Sequence, residues 1–349
     1  MSKIKTIDFE AHFYNHATFQ YLQKRKSYPN LIPAKDPGAY IIKFSEKVHL
    51  YHDQDFIDRL CDIGEERIKI MDKDGLDMQV LSFSTPGLDS FGSDDRAAIS
   101  LTRQANDELA DAIKRHPDRF KGFAAIAPNN VKEGVKELER AITQLGFVGW
   151  LTHSNFENGR YLDDKKYWPL LEAAESLNIP IYLHPTVPPM EAFGKYGFSL
   201  AGPAMGFEFD VAFCMMRMIL GGVFDQFPRL TIILGHLGET MPYLLERLDY
   251  SWTNKGVARA PGFNKFRPNL RRLPSEVLLE NTYVSTSGRF NEKVLQFVIN
   301  VMGEDRMLLA TDYPYESLPQ SMDFIKNSQL SHSAMEKLCF RNAKNFGIT

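Results

Sequence analysis

The chain has 349 residues, with 41 lysines and arginines against 44 aspartates and glutamates, a formal net charge of −3. At 44% hydrophobic and 24% charged residues its composition is that of a globular protein, which excludes chain-wide disorder, and without a basic excess it is not expected to bind nucleic acid. Apolar runs such as Met215–Val223 are far too short to span a membrane, the N-terminus runs into Thr6-Ile7-Asp8-Phe9-Glu10 rather than an apolar signal core, and Cys61, Cys214 and Cys339 stand apart without a CxxC pair, so a reducing, cytoplasmic setting is expected.

Short apolar runs alternate with amphipathic stretches. Strands are predicted at Thr6–Phe9, Met78–Phe83, Phe120–Ile126, Phe147–Leu151, Pro180–Leu183, Leu230–Leu234, Thr282–Thr286 and Met307–Ala310. Between the second and third, Ala97, Leu101, Ala105, Leu109, Ala112 and Ile113 recur at the helical interval of three and four, and Ser93 is placed to cap that helix. The next helix opens at Asn130 with Glu133 three residues on, carries Val135, Leu138, Ile142 and Leu145 on one face and stops at Gly146. Such alternation implies parallel strands, and eight units fit an α/β fold of the (β/α)8 TIM-like barrel type, with residues 1–349 as one domain. An open doubly wound sheet is the rival, but no Gly-x-Gly-x-x-Gly follows the first strand and no Walker phosphate loop is present. Two insertions interrupt the pattern, Phe13–Asp62 after strand 1 and Pro185–Gly206 after strand 5. Both lie on the side where barrel strands end, where long loops form the walls or lid of a site. The methionine and aromatic content of Phe207–Phe224 reads as core packing.

In a parallel barrel the carboxyl ends of the strands converge on one face. The first strand ends in Glu10-Ala11-His12, where alternation sends both polar side chains toward the barrel axis. The fifth ends in His184, the sixth in His236 of Gly235-His236-Leu237-Gly238-Glu239, and the eighth in Asp312 of Ala310-Thr311-Asp312-Tyr313-Pro314. Singly each has an ordinary explanation: a lone His after a strand is commonly a hydrogen-bonded structural residue, Asp312 can shape a turn, and Glu10 can pair with a lysine. Together, imidazoles and carboxylates in one mouth are suitable ligands for a divalent ion. His16, His49, His52 and His153 carry no comparable signal, His116 reads as a helix C-terminal partner, and His332 as a surface residue at a helix start. Arg67 and Arg247, taken alone, read as salt-bridged helix residues.

This strand-end set resembles the amidohydrolase superfamily, specifically its metal-dependent decarboxylase branch of gamma-resorcylate, 2,3-dihydroxybenzoate and 5-carboxyvanillate decarboxylases, with the aminocarboxymuconate semialdehyde decarboxylases more distant. The resemblance runs nearly the length of the chain, through Glu10-Ala11-His12, Asp62–Asp74 with Gly75, Asn106-Asp107, Pro117-Asp118-Arg119-Phe120, Gly146-Phe147, Tyr182-Leu183-His184-Pro185, Gly222-Val223-Phe224-Asp225, Gly235–Glu239, Thr286-Ser287-Gly288 and Asp312-Tyr313-Pro314. It implies that Glu10, His12, His184 and Asp312 are metal ligands and that His236 and Glu239 form a dyad on the substrate's ring hydroxyl. It further implies that Arg67 meets the substrate carboxylate and that Arg247 reaches the site of a neighbouring subunit in a homodimer or homotetramer. Two-metal hydrolytic relatives often carry His-x-His after the first strand and a carboxylated lysine after the fourth. Here the first motif is Glu-x-His and Trp150-Leu151-Thr152-His153 offers no lysine, so one divalent ion is expected. The oxygen-rich ligand set places Mn2+ ahead of Zn2+.

The expected reaction is non-oxidative decarboxylation of a hydroxybenzoate-type, 2,6-dihydroxybenzoate-like acid. The carboxylate and ortho-hydroxyl would chelate the ion, Asp312 would protonate the ring carbon, and loss of CO2 would restore aromaticity without an aryl carbanion. The alternatives are a metal-dependent hydrolase or hydratase acting on a lactone or unsaturated keto acid, and an inert barrel used as a binding scaffold. Phe13, Tyr14, Phe193, Tyr196 and Phe198 are expected either to form a flat apolar slot or to pack the lid.

Overall fold

The structure is a computed structural model that describes residues 4–91, 95–156, 159–254 and 268–349. After β1 (Ile7–Phe13), three short strands, β2 (Asn30–Pro33), β3 (Tyr40–Lys43) and β4 (His49–His52), form an antiparallel sheet of their own inside the first insertion. The barrel then continues with β5 (Met78–Phe83), β6 (Phe120–Ala124), β7 (Gly149–His153), β8 (Pro180–His184), β9 (Thr231–Leu234), β10 (Thr282–Ser285) and β11 (Met307–Leu308). Each barrel strand pairs in parallel with the next in sequence, and helices lie between them. The ring is closed from β1 to the segment after β11: Phe9 N–H donates to Leu309 O at 2.9 Å, Asp312 N–H to Glu10 O at 2.8 Å, and His12 N–H to Tyr313 O at 2.7 Å.

All eight expected strands are present. β1 runs on to Phe13 because His12 and Phe13 still pair with Ser82 and Phe83 of β5. The small antiparallel sheet was not expected, since its four-residue strands, interrupted by Pro33, are too short to show a clear alternation. The helix at Val131–Thr143 is capped by Asn130, whose side chain accepts from Glu133 N–H; Ser93 lies outside the described residues. No described helix is long and apolar enough to cross a membrane.

An irregularity in β1 governs what faces the barrel axis. Asp8 pairs with Gln79 and Ala11 with Leu81, so β1 spends one residue more than β5 over this stretch. Strict alternation would turn Glu10 outward once Phe9 points in. The extra residue resets the alternation, and Phe9 packs the barrel interior while Glu10 and His12 both enter the mouth. Asp8 fills the gap left in the ladder, its Oδ1 accepting from Glu10 N–H at 3.0 Å and from Thr311 N–H at 2.9 Å.

Below the mouth the interior is packed by Ile7, Phe9, Val80, Phe123, Leu151, Tyr182, Ile233 and Leu308. The C-terminal segment closes the far end, with the Phe346 ring 5.6 Å from Phe9. Phe123 fills the centre, and Gly149 gives it room: a Cβ there would lie 2.6 Å from Phe123 Cε1. Phe123→Ala should therefore lower stability by about 3–5 kcal/mol, read as a shift of the urea midpoint. A loss below about 1 kcal/mol would show that the barrel interior is not packed this way.

Candidate active site

Four side chains from two barrel strands, β1 and β8, and the closing segment meet at the mouth: Glu10, His12, His184 and Asp312, all buried, with their ligand atoms within 4.8 Å of one another. His184 Nε2 lies 3.3 Å from Glu10 Oε1, and His12 Nε2 lies 3.0 Å from Asp312 Oδ1. The tautomers are set from behind. His184 Nδ1–H donates to Pro185 O at 2.8 Å, which leaves Nε2 as a lone pair facing Glu10. Ser82 Oγ gives its proton to Ala11 O and can accept from His12 Nδ1–H at 3.2 Å, which again directs Nε2 inward. Glu10 Oε1 and His12 Nε2 are buried and have no hydrogen-bond partner. Buried polar atoms are normally satisfied, so a carboxylate oxygen and an imidazole nitrogen left unsatisfied at one point, the nitrogen able to give up its proton to a metal, fit a cation.

The electrostatics agree. Burial alone would raise Glu10, but the imidazoles of His236, His12 and His184 hold it well below the ordinary carboxylate range. Burial disfavours the His12 proton, yet Asp312 and Glu10 raise this imidazole to about 9. Burial pushes His184 down to about 4. The carboxylates thus draw positive charge to the point where the four side chains meet.

His236 stands beside this group, its Nε2 3.7 Å from Asp312 Oδ2 and 3.9 Å from Glu10 Oε1, while Nδ1 pairs with Glu239 Oε1 at 2.8 Å. Burial works against the His236 proton, but Glu239 and Glu10 hold it well above the ordinary histidine value. His236, Glu239 and Asp312 all have positive φ, at 50°, 56° and 61°. For residues with a Cβ this conformation is strained, and such strain is typical of functional positions.

Above the four ligands opens a cavity of about 340 Å3, at the small end of ligand pockets. Its walls come from both insertions, as expected: Leu50, Tyr51, His52 and Phe56 from the first, Pro185, Phe198 and Pro203 from the second. Thr85 after β5, Phe207 and Glu208 of the following helix, Gly288 and Arg289 after β10, and Tyr315 and Glu316 after Asp312 complete it. His52 stacks on Phe56 with ring centres 4.2 Å apart, and Tyr315 stands edge-on to His12 at 5.7 Å. The expected slot is thus aromatic, but of the five residues named for it only Phe198 lines the cavity. Phe13 and Tyr14 are buried in the outer core, and Tyr196 is exposed. Phe207 also departs from the core-packing expectation by lining the cavity. Among the described residues, a larger groove of about 810 Å3 between Tyr28, Phe44, Pro189 and Met190 has no comparable set of converging ligands.

Three features escaped the sequence. Tyr182 OH donates to Glu10 Oε2 and contacts Ser285 Oγ at 2.8 Å; its spacing of two residues from His184 was a usable signal, because both then face inward. His153 pairs with Asp89, Nδ1 to Oδ2 at 2.9 Å, with its ring 5.3 Å from that of His184. Arg289 and Glu208 form an ion pair on the cavity wall, and nothing in their local sequence marks it.

The amidohydrolase family profile matches residues 7–346. A gamma-resorcylate decarboxylase of Polaromonas sp. is 35% identical over 294 residues, covering 82% of this chain and 88% of its own length. The crystal structure of a dihydroxybenzoic acid decarboxylase from Polaromonas sp., with bound manganese and the inhibitor 2-nitroresorcinol, superposes with a TM-score of 0.83 at 31% identity, covering 99% of this chain and 97% of that one. A 5-carboxyvanillate decarboxylase from Novosphingobium aromaticivorans, complexed with manganese and 4-hydroxy-3-methoxy-5-nitrobenzoic acid, gives 0.85 at 29% identity, covering 99% and 96%.

The two arginines are not part of the cavity within this chain. Arg247 is exposed, its guanidinium 5.0 Å from the Tyr250 ring. The expectation that Arg67 meets a substrate carboxylate is corrected: Arg67 is fully buried behind the site. Its Nε donates to Asp62 O at 2.6 Å, Nη2 to His12 O at 2.7 Å and Arg59 O at 3.1 Å, and Nη1 to Gln79 Oε1 at 3.4 Å, so the fork is occupied by three backbone carbonyls and a side-chain amide. Arg67→Met leaves those carbonyls without donors and should cost about 2–4 kcal/mol in urea unfolding. Unchanged stability with only a raised KM would restore the substrate-contact role.

Proposed function

The chain belongs to the amidohydrolase family, and on that premise we propose that it is a non-oxidative decarboxylase of a hydroxybenzoate-type, 2,6-dihydroxybenzoate-like acid, acting with one divalent ion in one barrel domain. The observation that carries this reading is the buried group of Glu10, His12, His184 and Asp312, whose ligand atoms converge, with Glu10 Oε1 left unpartnered, beneath a small aromatic-walled cavity. Two carboxylates among four ligands suit Mn2+ ahead of Zn2+, and relatives of this chain hold manganese. Bound there, the ion would supply Lewis acidity and a template for the substrate's carboxylate and ortho-hydroxyl.

The remaining work falls to the chain's own side chains. Loss of CO2 directly from an aromatic ring leaves an aryl carbanion, so the ring carbon must be protonated first. Asp312 is the donor in this reading, since it is buried at the floor of the cavity, between His12 and His236. A carboxylate flanked by two imidazoles starts ionised, so the proton that it delivers is one taken up from the substrate's ortho-hydroxyl. His236, oriented by Glu239, holds the ring oxygen as charge develops on it. The aromatic wall of His52, Phe56, Phe198 and Tyr315 fits a flat ring and keeps water from it.

Arg247 is assigned to the cavity of a neighbouring subunit in a homodimer or homotetramer, supported by its exposure beside Tyr250 and by the 80% exposed Tyr243 on the same segment. A cytoplasmic setting accords with three cysteines that form no disulfide.

Manganese-loaded protein given 2,6-dihydroxybenzoate should release CO2 and resorcinol, and Asp312→Asn should slow the release about 10^2–10^4-fold. No CO2 from any hydroxybenzoate, together with turnover of a lactone or unsaturated keto acid, would replace this reading with the hydrolase or hydratase.

A further inference from the structure

One wall of the cavity carries a charge pattern that the reaction itself does not require. Arg289 is the one lysine or arginine lining the cavity among the described residues, and it is paired with Glu208 of the helix at Gly206–Leu220. Glu316 lines the same wall. The segment lies against the dyad: a Cβ on Gly288 would sit 3.4 Å from His236 Cδ2 and 3.5 Å from Glu316 Cγ. Arg289 therefore borders the space that a ring on the metal group would occupy. Its charge is met by Glu208 in the ion pair and by Glu316 nearby, and one guanidinium against two carboxylates makes this wall formally anionic.

We propose that the Arg289–Glu208 pair sets substrate choice, admitting a ring hydroxyl and rejecting a second carboxylate. This inference deepens the decarboxylase reading of the same site and rests on it. A hydroxyl can accept from the guanidinium and donate to the Glu208 carboxylate together, so both members of the pair stay satisfied. A carboxylate can use only the guanidinium. It must displace Glu208, leave that acid without its partner in a partly desolvated site, and face Glu316 as a like charge. Discrimination thus comes from a repulsive element as well as an attractive one.

The test is binding rather than turnover, with probes in which a nitro group stands for the leaving carboxylate. Manganese-loaded protein is titrated with 2-nitroresorcinol, whose nitro group is flanked by two hydroxyls, and with 3-hydroxy-2-nitrobenzoic acid, in which a carboxylate replaces one of those hydroxyls. Wild type should bind the first more tightly. Glu208→Gln, which frees the guanidinium charge, should shift the ratio of the two dissociation constants about 10-fold toward the carboxylated probe, and Arg289→Met in the same background should abolish that shift. Binding of both probes with an unchanged ratio in Glu208→Gln overturns the specificity assignment and leaves the decarboxylase reading standing. Binding of neither probe to the wild type overturns both.

Discussion

Glu10 and Asp312 are two carboxylates buried at the same end of one barrel, and isolated charges do not persist in such surroundings. The structure answers with three imidazoles, those of His12, His184 and His236, and with the phenol of Tyr182. Even so, Glu10 Oε1 remains without a hydrogen-bond partner. The need for positive charge at that point makes a cation the natural completion of the site. The strained backbone at His236, Glu239 and Asp312 belongs to the same requirement, because in the left-handed region the side chains of His236 and Asp312 reach this point and Glu239 holds His236 from behind.

The scaffold bears this cost through β1. Its extra residue lets an apolar ring, Phe9, and a ligand, Glu10, point inward in succession, so the packed interior ends directly beneath the polar group. Asp8 pins the irregularity from outside, tying β1 to Thr311 just before Asp312. Burial raises this carboxyl to about 6, against several hydrogen bonds that lower it. Arg67 braces the same strand through the His12 carbonyl. Ligands at positions 10, 12 and 312 are thus held by one connected piece of buried polar structure rather than by independent loops.

The barrel was legible in the sequence because its strands are apolar runs bounded by helices with clear periodicity, and the ligand residues were legible because they fall at strand ends, where parallel topology forces convergence. The small sheet in the first insertion was not, its strands being four residues each. Nor was the cavity wall. Which loop residues face a site depends on how long connections pack against one another, and neither period nor turn chemistry encodes that. Phe13 and Tyr14 went to the core while His52 and Phe56 reached the cavity, and Arg289 met Glu208 across 81 positions. Arg67 shows the complementary failure, since a residue matched by position to a substrate contact is here enclosed behind the site.

The convergence of Glu10, His12, His184 and Asp312 on a single cation is tested most directly by electron paramagnetic resonance of the protein loaded with Mn2+ and analysed for metal content. One isolated Mn2+ per chain is expected, with its signal lost in His12→Ala. A spin-coupled pair of ions, or no stoichiometric metal at all, would contradict it.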